Sequence, residues 1–322
     1  MPSLTQLSQL TMVELAKRTN DSNILAISEV LAQTNDILKD ATWVEGNQVA
    51  SHVGTRRTSQ PTGSHRQVNQ GVATEASATR QITEPCCRLE AFSEVDEALI
   101  DLAPNKEEFR RNEDLAFIEG LSQTMVATLI YGNMSTDAEK IDGLATRYYA
   151  LSQANVKTQS GSGGDTTSLW IVEWGPTKVH LFYPKGSKVG LQMNDLGKQR
   201  VLDGSNNPLI KWVSQFVSQY GLFVHDDRCV QRLANIEVSG SSNLMDEDNI
   251  IDLLNRMPQA GGGPGTRIYI NRALKTQFDI LAKDKTNVNY TSDNAFGMPV
   301  TKFRGVQVGL VEQILSTETA CA

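Results

Sequence analysis

Residues 105–132 read NKEEFRRNEDLAFIEGLSQTMVATLIYG, and they set the scale of the molecule. Asn105 is placed to cap the free amides of a helix start, with Glu108 three residues on as the reciprocal member of a capping box. Glu107 and Glu108 also suit the positive end of the helix dipole. Phe109, Phe117, Leu121, Met125 and Leu129 recur at multiples of four, joined by Ile118 and Val126, so one side of the helix is apolar. Gly132-Asn133 supplies a left-handed stop. At 1.5 Å per residue the rod is roughly 40 Å long, about the width of a small domain. Its first half carries Lys106, Glu107, Glu108, Arg110, Arg111, Glu113 and Asp114, whereas nothing from Gly120 to Thr136 is charged. Gly120, Ser122, Gln123, Thr124 and Thr128 interrupt that dry half, which falls short of the roughly 20 apolar residues a bilayer requires, so no membrane span is expected.

A chain of 322 residues with 39% hydrophobic content can bury one large core or two modest ones. Its net charge of −7 argues against a dedicated nucleic-acid binder, which would concentrate Lys and Arg to displace counterions from phosphates. Cys86, Cys87, Cys229 and Cys321 form no CxxC pair and read as free thiols of a protein made in a reducing cytoplasm. The N-terminus lacks a basic region followed by an apolar run, so no secretory signal is expected.

Working outward from the long helix, Ile24, Ile27, Leu31 and Leu38 suit an amphipathic helix capped by Asp21 or Ser22 and ending near Lys39-Asp40. Between residues 41 and 84 large apolar residues nearly vanish after Trp43. This segment reads as a two-stranded excursion that turns near residues 60–64, with arms of about 16 residues reaching roughly 50 Å. Such a ribbon has no core to offset the roughly 1–2 kcal/mol per residue that ordering costs, so it is either disordered or draped over another molecule. Arg56, Arg57 and Arg66, with His52 and His65, make it basic, whereas Glu84, Glu90, Glu94, Asp96, Glu97 and Asp101 follow it against Arg88 alone. A basic ribbon and an acidic body in one chain can pair between copies. Residues 169–174 and 178–183 look like a hairpin across Gly175-Pro176, residues 184–207 are turn-rich, and residues 209–225 and 228–238 read as longer strands broken at Asp226-Asp227. A helix over 246–257, a strand over 266–270, a helix over 272–283 and strands over 298–303 and 306–311 complete an α/β unit.

No catalytic constellation stands out. Gly261-Gly-Gly-Pro-Gly265 precedes a strand rather than a helix and lacks the Lys-Ser/Thr ending of a phosphate cradle, so it reads as a linker. His225, Asp226, Asp227 and Cys229 are the one compact cluster that could hold a metal or run acid/base chemistry. Their spacing matches no zinc pattern, and adjacent acids at a strand break make an ordinary turn. His52, His65 and His180 lie far apart and form no visible triad. Three polar excursions around one long helix favour an assembly protein over an enzyme.

At this point the chain resembles the major capsid proteins of tailed bacteriophages with the Hong Kong 97-type fold, short-tailed phages in particular. The resemblance spans nearly the whole chain. It rests on Ala32-Gln-Thr-Asn-Asp-Ile-Leu38, Trp43-Val-Glu-Gly-Asn47, Thr55-Arg-Arg-Thr-Ser-Gln-Pro61, Asn69-Gln-Gly-Val72 and Glu94-Val-Asp96. Glu113-Asp-Leu-Ala-Phe117, Leu129-Ile-Tyr-Gly-Asn133, Asp142-Gly-Leu-Ala-Thr-Arg-Tyr148, Trp174-Gly-Pro176 and Tyr183-Pro-Lys-Gly186 extend it. It implies an α+β fold with an N-terminal arm (1–40), an extended hairpin loop (41–91), a peripheral domain (92–165 and 195–235) with the spine helix 105–132, and an axial domain with return strands (166–194 and 236–322). It further implies a non-enzymatic shell subunit of the virion that self-assembles as hexamers and pentamers into an icosahedral head around double-stranded DNA held by weak, non-specific contact. Assembly would take place in the host cytoplasm with scaffold, portal and decoration proteins, without cofactor, metal or membrane. The family's Lys–Asn crosslinking trio cannot be aligned here, so no crosslink is expected. Arg56, Arg57, Arg66, Glu107 and Glu108 are the expected contacts between subunits. The alternatives are an encapsulin-like nanocompartment shell of the same fold and a small metal-dependent hydrolase using His225, Asp226 and Asp227.

Overall fold

A computed structural model of the chain describes residues 19–20, 23–24, 33–162, 164–282, 290–295 and 298–321. Thr19–Asn20 (β1) and Asn23–Ile24 (β2) pair antiparallel, so residues 23–24, where the sequence suggests helix, are extended instead. The middle of that expected helix lies outside the described residues, and its far end is a single turn, Ile37–Asp40 (α1), with Ile37 buried. Trp43–Glu45 (β3), Ser51–Ser59 (β4), Ala78–Pro85 (β5) and Cys87–Asp96 (β6) follow. Glu97–Leu102 (α2) starts where the Asp96 carboxylate accepts the Ala98 amide at 2.8 Å.

The long helix is Lys106–Tyr131 (α3). Asn105 caps it, accepting the Glu108 amide at 3.3 Å. Glu108 answers through the Asn105 side-chain amide at 3.2 Å, where a capping box would use the backbone N–H. Phe109, Leu121, Met125, Val126, Leu129 and Ile130 are buried, while Leu115 and Ile118 on the charged half are exposed. Its end corrects the expected left-handed stop. Gly132 is not among the residues with positive φ. Glycine is needed because a Cβ there would lie 2.2 Å from the Ile141 carbonyl and 2.5 Å from that of Thr128. The returning chain crosses this point with Gly143, whose amide donates to Gly132 O at 2.8 Å and whose own Cβ would meet the Ile130 carbonyl at 2.7 Å.

Beyond Leu144–Arg147 (α4) and Val156–Thr158 (β7), Thr166–Glu173 (β8) is buried at every position and Val179–Tyr183 (β9) at all but the last. These two strands are not a hairpin. The turn exists, with the Lys178 amide on Gly175 O at 3.0 Å, but it passes the chain from one sheet to another. β9 pairs with β3, whereas β8 runs between two other strands, because a strand buried along its whole length needs partners on both edges.

Leu191–Leu202 (β10) occupies much of the region expected to be turns. It pairs antiparallel with Pro208–Val224 (β11), and the turn-like residues Asp195 and Gly197 are a β-bulge, with Gly197 at φ +69° and its amide on Asp195 Oδ1 at 2.9 Å. After a 3₁₀ turn at Asp227–Cys229 come Val230–Glu237 (β12), Glu247–Arg256 (α5) capped by Asp246, Thr266–Ile270 (β13), Arg272–Ala282 (α6), Tyr290–Ala295 (β14), Met298–Phe303 (β15) and Val306–Leu310 (β16). Of these, β14 has no counterpart in the sequence reading.

Two compact units result. The one built on residues 88–126 and 188–219 has a core of Val95, Leu99, Ile100, Ala103 and Phe109 under Trp212, with Phe117 stacked on Phe216 at 5.9 Å. The other, built on residues 34–87, 127–187 and 220–321, holds a seven-stranded sheet in the order β14-β15-β16-β13-β8-β12-β7. Leu169, Ile171, Leu233, Ile268 and Ile270 of that sheet share one apolar cluster with Ile250, Leu253 and Leu254 of α5 and Leu274 and Phe278 of α6. Gly261 and Gly262 turn with φ near +86° and +88° just before β13, so the glycine run is a tight linker, as expected.

The C-terminal segment is fastened to this unit by a buried ion pair. Arg232 on β12 meets Glu318 at 2.9 Å, with the two side chains 4% and 5% exposed. Arg232 also donates to Ser168 Oγ at 3.0 Å and Tyr148 O at 2.8 Å and lies over the Trp170 ring. Tyr131 and Ser168 hydroxyls complete the shell of Glu318. Removing one partner of such a pair strands the other charge without water. Arg232→Met, which keeps bulk over Trp170, is expected to lower stability by about 3–5 kcal/mol in urea unfolding of the subunit. The cysteines are free thiols. Burial pushes Cys86 and Cys229 up to about 12 and Cys87 up to about 11, so all three are expected to resist a disulfide reagent at pH 8 until the chain is unfolded.

Candidate assembly interface

The polar ribbon is shorter and better rooted than its composition implies. β4 and β5 pair antiparallel from Ser51↔Pro85 to Ser59↔Ala78, with a register shift past Arg57. Arms of nine and eight residues reach roughly 30 Å at 3.3 Å per residue. Residues 60–77 between them form neither helix nor strand and are exposed throughout. The turn therefore occupies this whole segment rather than residues 60–64, because Pro61 offers no amide to a ladder and Gly63 and Asn69 sit at φ +69° and +70°. The tip's own bonds are local: the Thr62 and Gly63 amides both reach Glu75 Oε2, at 2.7 and 3.0 Å, and Arg66 reaches Gln70 O at 3.2 Å.

The root is held by its own chain, contrary to the expectation that the whole ribbon lacks a home there. Strand alternation puts His52, Gly54 and Arg56 on one face of β4 and Thr55 and Arg57 on the other. Gly54 lets that face approach closely, since a Cβ would sit 2.4 Å from the Phe223 ring and 3.2 Å from His225. His52 packs edge-on to His180 and Phe223, with centroids at 5.3 and 4.8 Å. Arg56 Nε donates to His225 O at 2.8 Å, and its guanidinium pairs with Asp227 at 2.6 Å. On β5, Glu84 takes both guanidinium nitrogens of Arg147 at 2.7 Å, the two side chains 16% and 18% exposed. Arg147 also donates to Asp142 O at 2.9 Å, and Tyr148 donates to Asp227 Oδ1 at 3.0 Å. Burial, with the Asp227 carboxylate beside it, holds the Tyr148 hydroxyl well above the usual phenol range.

This geometry separates the expected contact residues. Arg56 is spent on Asp227 and the His225 carbonyl of its own chain, so its charge is not held ready for a neighbour. Arg57 on the opposite face and Arg66 at the tip are exposed, as are Glu107 and Glu108 on the first turn of α3. The acidic run after the ribbon is also largely matched internally: Glu84 by Arg147, Glu90 by Arg88, Glu94 by Lys211, Glu97 by Lys198 and Asp101 by Lys106, while Asp96 caps α2. The proposed hydrolytic cluster does not converge. Asp226 grips Arg228 at 2.7 Å, Asp227 serves Arg56 and Tyr148, and both acids are thereby neutralised by structural partners. Instead, His225 joins His52 and His180, two of the histidines that the sequence keeps far apart. The alternation of His52, Gly54 and Arg56 was the one sequence signal that these side chains share a face.

The family model described as major capsid protein GP7 matches residues 19–322. The chain belongs to this family of phage major capsid proteins, and its fold is of the Hong Kong 97 type. It is similar to a chain in the near-atomic cryo-EM structure of bacteriophage Epsilon15, with 28% identity, a TM-score of 0.75 and 99% of each chain covered. The bacteriophage JBD30 capsid shares the fold at 11% identity and a TM-score of 0.51, over 94% of this chain and 99% of that one. An encapsulin from Synechococcus elongatus matches at 10% identity and a TM-score of 0.44, over 74% of this chain and 99% of its own, too slight a likeness to carry weight. No significant match was found among curated protein sequences.

Because Glu84–Arg147 closes the root on β5, the strand opposite that of Arg56, Arg147→Met is expected to loosen the ribbon before it unfolds the subunit. Hydrogen exchange over residues 51–59 and 78–85 should speed up at least about tenfold, corresponding to loss of a charged hydrogen-bonded pair worth roughly 1.5–3 kcal/mol. Exchange in α5 and α6 should stay unchanged.

Proposed function

We propose that this capsid subunit builds an icosahedral phage head from hexamers and pentamers of itself, enclosing double-stranded DNA and performing no catalysis. The observation that carries this reading is the division of the ribbon. Its root is fixed by ion pairs and aromatic packing, whereas segment 60–77 is exposed throughout and its hydrogen bonds are local. A loop with no apolar residue larger than valine cannot bury its way to order alone, and a neighbouring copy is the partner that a closed symmetric shell supplies. The unit of residues 88–126 and 188–219 is assigned to the peripheral domain and the seven-stranded sheet to the axial domain, since a peripheral part running to residue 235 would part β12 from β8, its partner in that sheet. Assembly is placed in the host cytoplasm, with scaffold, portal and decoration proteins as partners. The negative net charge suits a wall that encloses DNA without gripping it.

Exposed Arg57 and Arg66 are the cations this arrangement offers to a neighbour, and exposed Glu107 and Glu108 are acids available to receive them. The double variant Arg57→Glu/Arg66→Glu is expected to keep the subunit's circular dichroism and melting temperature while particle yield, counted by electron microscopy, falls at least about tenfold at low salt. Adding Glu107→Lys should restore part of that yield. Normal particles from the double variant at physiological salt would sink the pairing, and a wild-type chain that stays monomeric with scaffold present would sink the shell reading itself.

A further inference from the structure

Three of the chain's four histidines meet where the ribbon leaves the body. His52 comes from β4 and His180 from β9, and His225 follows directly after β11. One ring nitrogen of each lies within 4.8 Å of the others. The convergence is dictated by pairing. His180 stands opposite Phe223 in the β9–β11 register, His225 is two residues further along the same face, and Gly54 lets β4 lie low enough for His52 to close the group. His180 is 1% exposed, and neither of its ring nitrogens has a hydrogen-bond partner. A neutral imidazole offers one donor and one acceptor, and leaving such groups buried and unmatched is destabilising. Phe182 and Phe223 pack against the rings and supply no polar partner.

We propose that His52, His180 and His225 are the ligands of a divalent transition-metal ion of the zinc class, clasping the ribbon root to the strands beneath it. Three imidazoles suit zinc, copper or nickel rather than calcium or magnesium, which take oxygen ligands. Zinc–nitrogen bonds of about 2.0–2.1 Å put tetrahedral ligand atoms roughly 3.4 Å apart, so the group must close by no more than about 1.4 Å. His52 and His225 are only partly buried and can make that adjustment, and their partial exposure leaves room for a water as fourth ligand. Burial and its histidine neighbours hold His180 down at about 4, so at neutral pH it is already in the unprotonated form that binds metal. Ligation through Nε2 of His52 puts its proton on Nδ1 and gives up the long 3.3 Å contact from the Asn47 amide. The acids nearby do not compete, since Asp226 and Asp227 are held by Arg228 and Arg56.

Calorimetric titration of the purified full-length subunit with zinc chloride alone is expected to show one ion per chain, and Co²⁺ in its place should give the visible d–d bands of a tetrahedral nitrogen site. His52→Gln and His225→Gln should each weaken zinc binding at least about tenfold, whereas His65→Gln at the ribbon tip should not. Zinc should also raise the melting temperature of wild type but not of the His52→Gln/His225→Gln double variant, whose folded state is checked by circular dichroism. Absence of stoichiometric binding to wild type, or equal binding to the folded double variant, overturns the proposal. Either result leaves the shell assignment standing, since other residues carry it.

Discussion

Much of this structure depends on how a polar ribbon is held at one end. The bidentate pair between Glu84 and Arg147 sits at its root, mostly out of water, with two parallel hydrogen bonds fixing the geometry. Arg56 and Asp227 close the other strand of the same root. Without these anchors a two-stranded ribbon of this composition would be marginal in water, because it has almost no apolar area to bury. With them, the entropy of the root is already spent within the subunit, and only residues 60–77 lie beyond the paired strands.

That division bears on assembly. A wholly unstructured loop would have to lose the freedom of every residue on docking, whereas a rooted one loses only that of residues 60–77, and preorganisation of this kind lowers the cost of association. It also changes which charges matter. Arg56 and Arg57 are adjacent in sequence and opposite in role, since strand alternation turns one inward to Asp227 and the other outward to solvent. The acidic run beyond the ribbon is likewise mostly neutralised by cations of its own chain, so it presents less free charge to a partner than its composition suggests.

The unit carrying the seven-stranded sheet is stabilised differently. Its core is apolar and continuous, but the C-terminal segment is fastened through Arg232 and Glu318, a charge pair in near-complete burial. Such a pair is a weak source of net stability and a strong constraint on register, because only one arrangement of strand β12 and the C-terminal segment satisfies both charges. At the end of the spine helix, Gly132 and Gly143 do the equivalent for the backbone. Each makes room for the other's chain, and neither position tolerates a side chain.

Much of this was legible in the residues themselves. The bounds of α3, the helix α5, the strand at Thr266–Ile270 and the helix after it follow from periodicity and capping among near neighbours, and local sequence encodes those directly. The tags shared with the capsid family were equally plain. The tertiary structure alone decided that β8 and β9 belong to different sheets, that Asp195 and Gly197 form a bulge instead of a turn, and that Arg56 is held at home. It alone brought His52, His180 and His225 together and set Glu318 against Arg232. Each of these depends on which residues strand pairing places opposite one another across long separations in the chain, and no window of neighbouring residues contains that information.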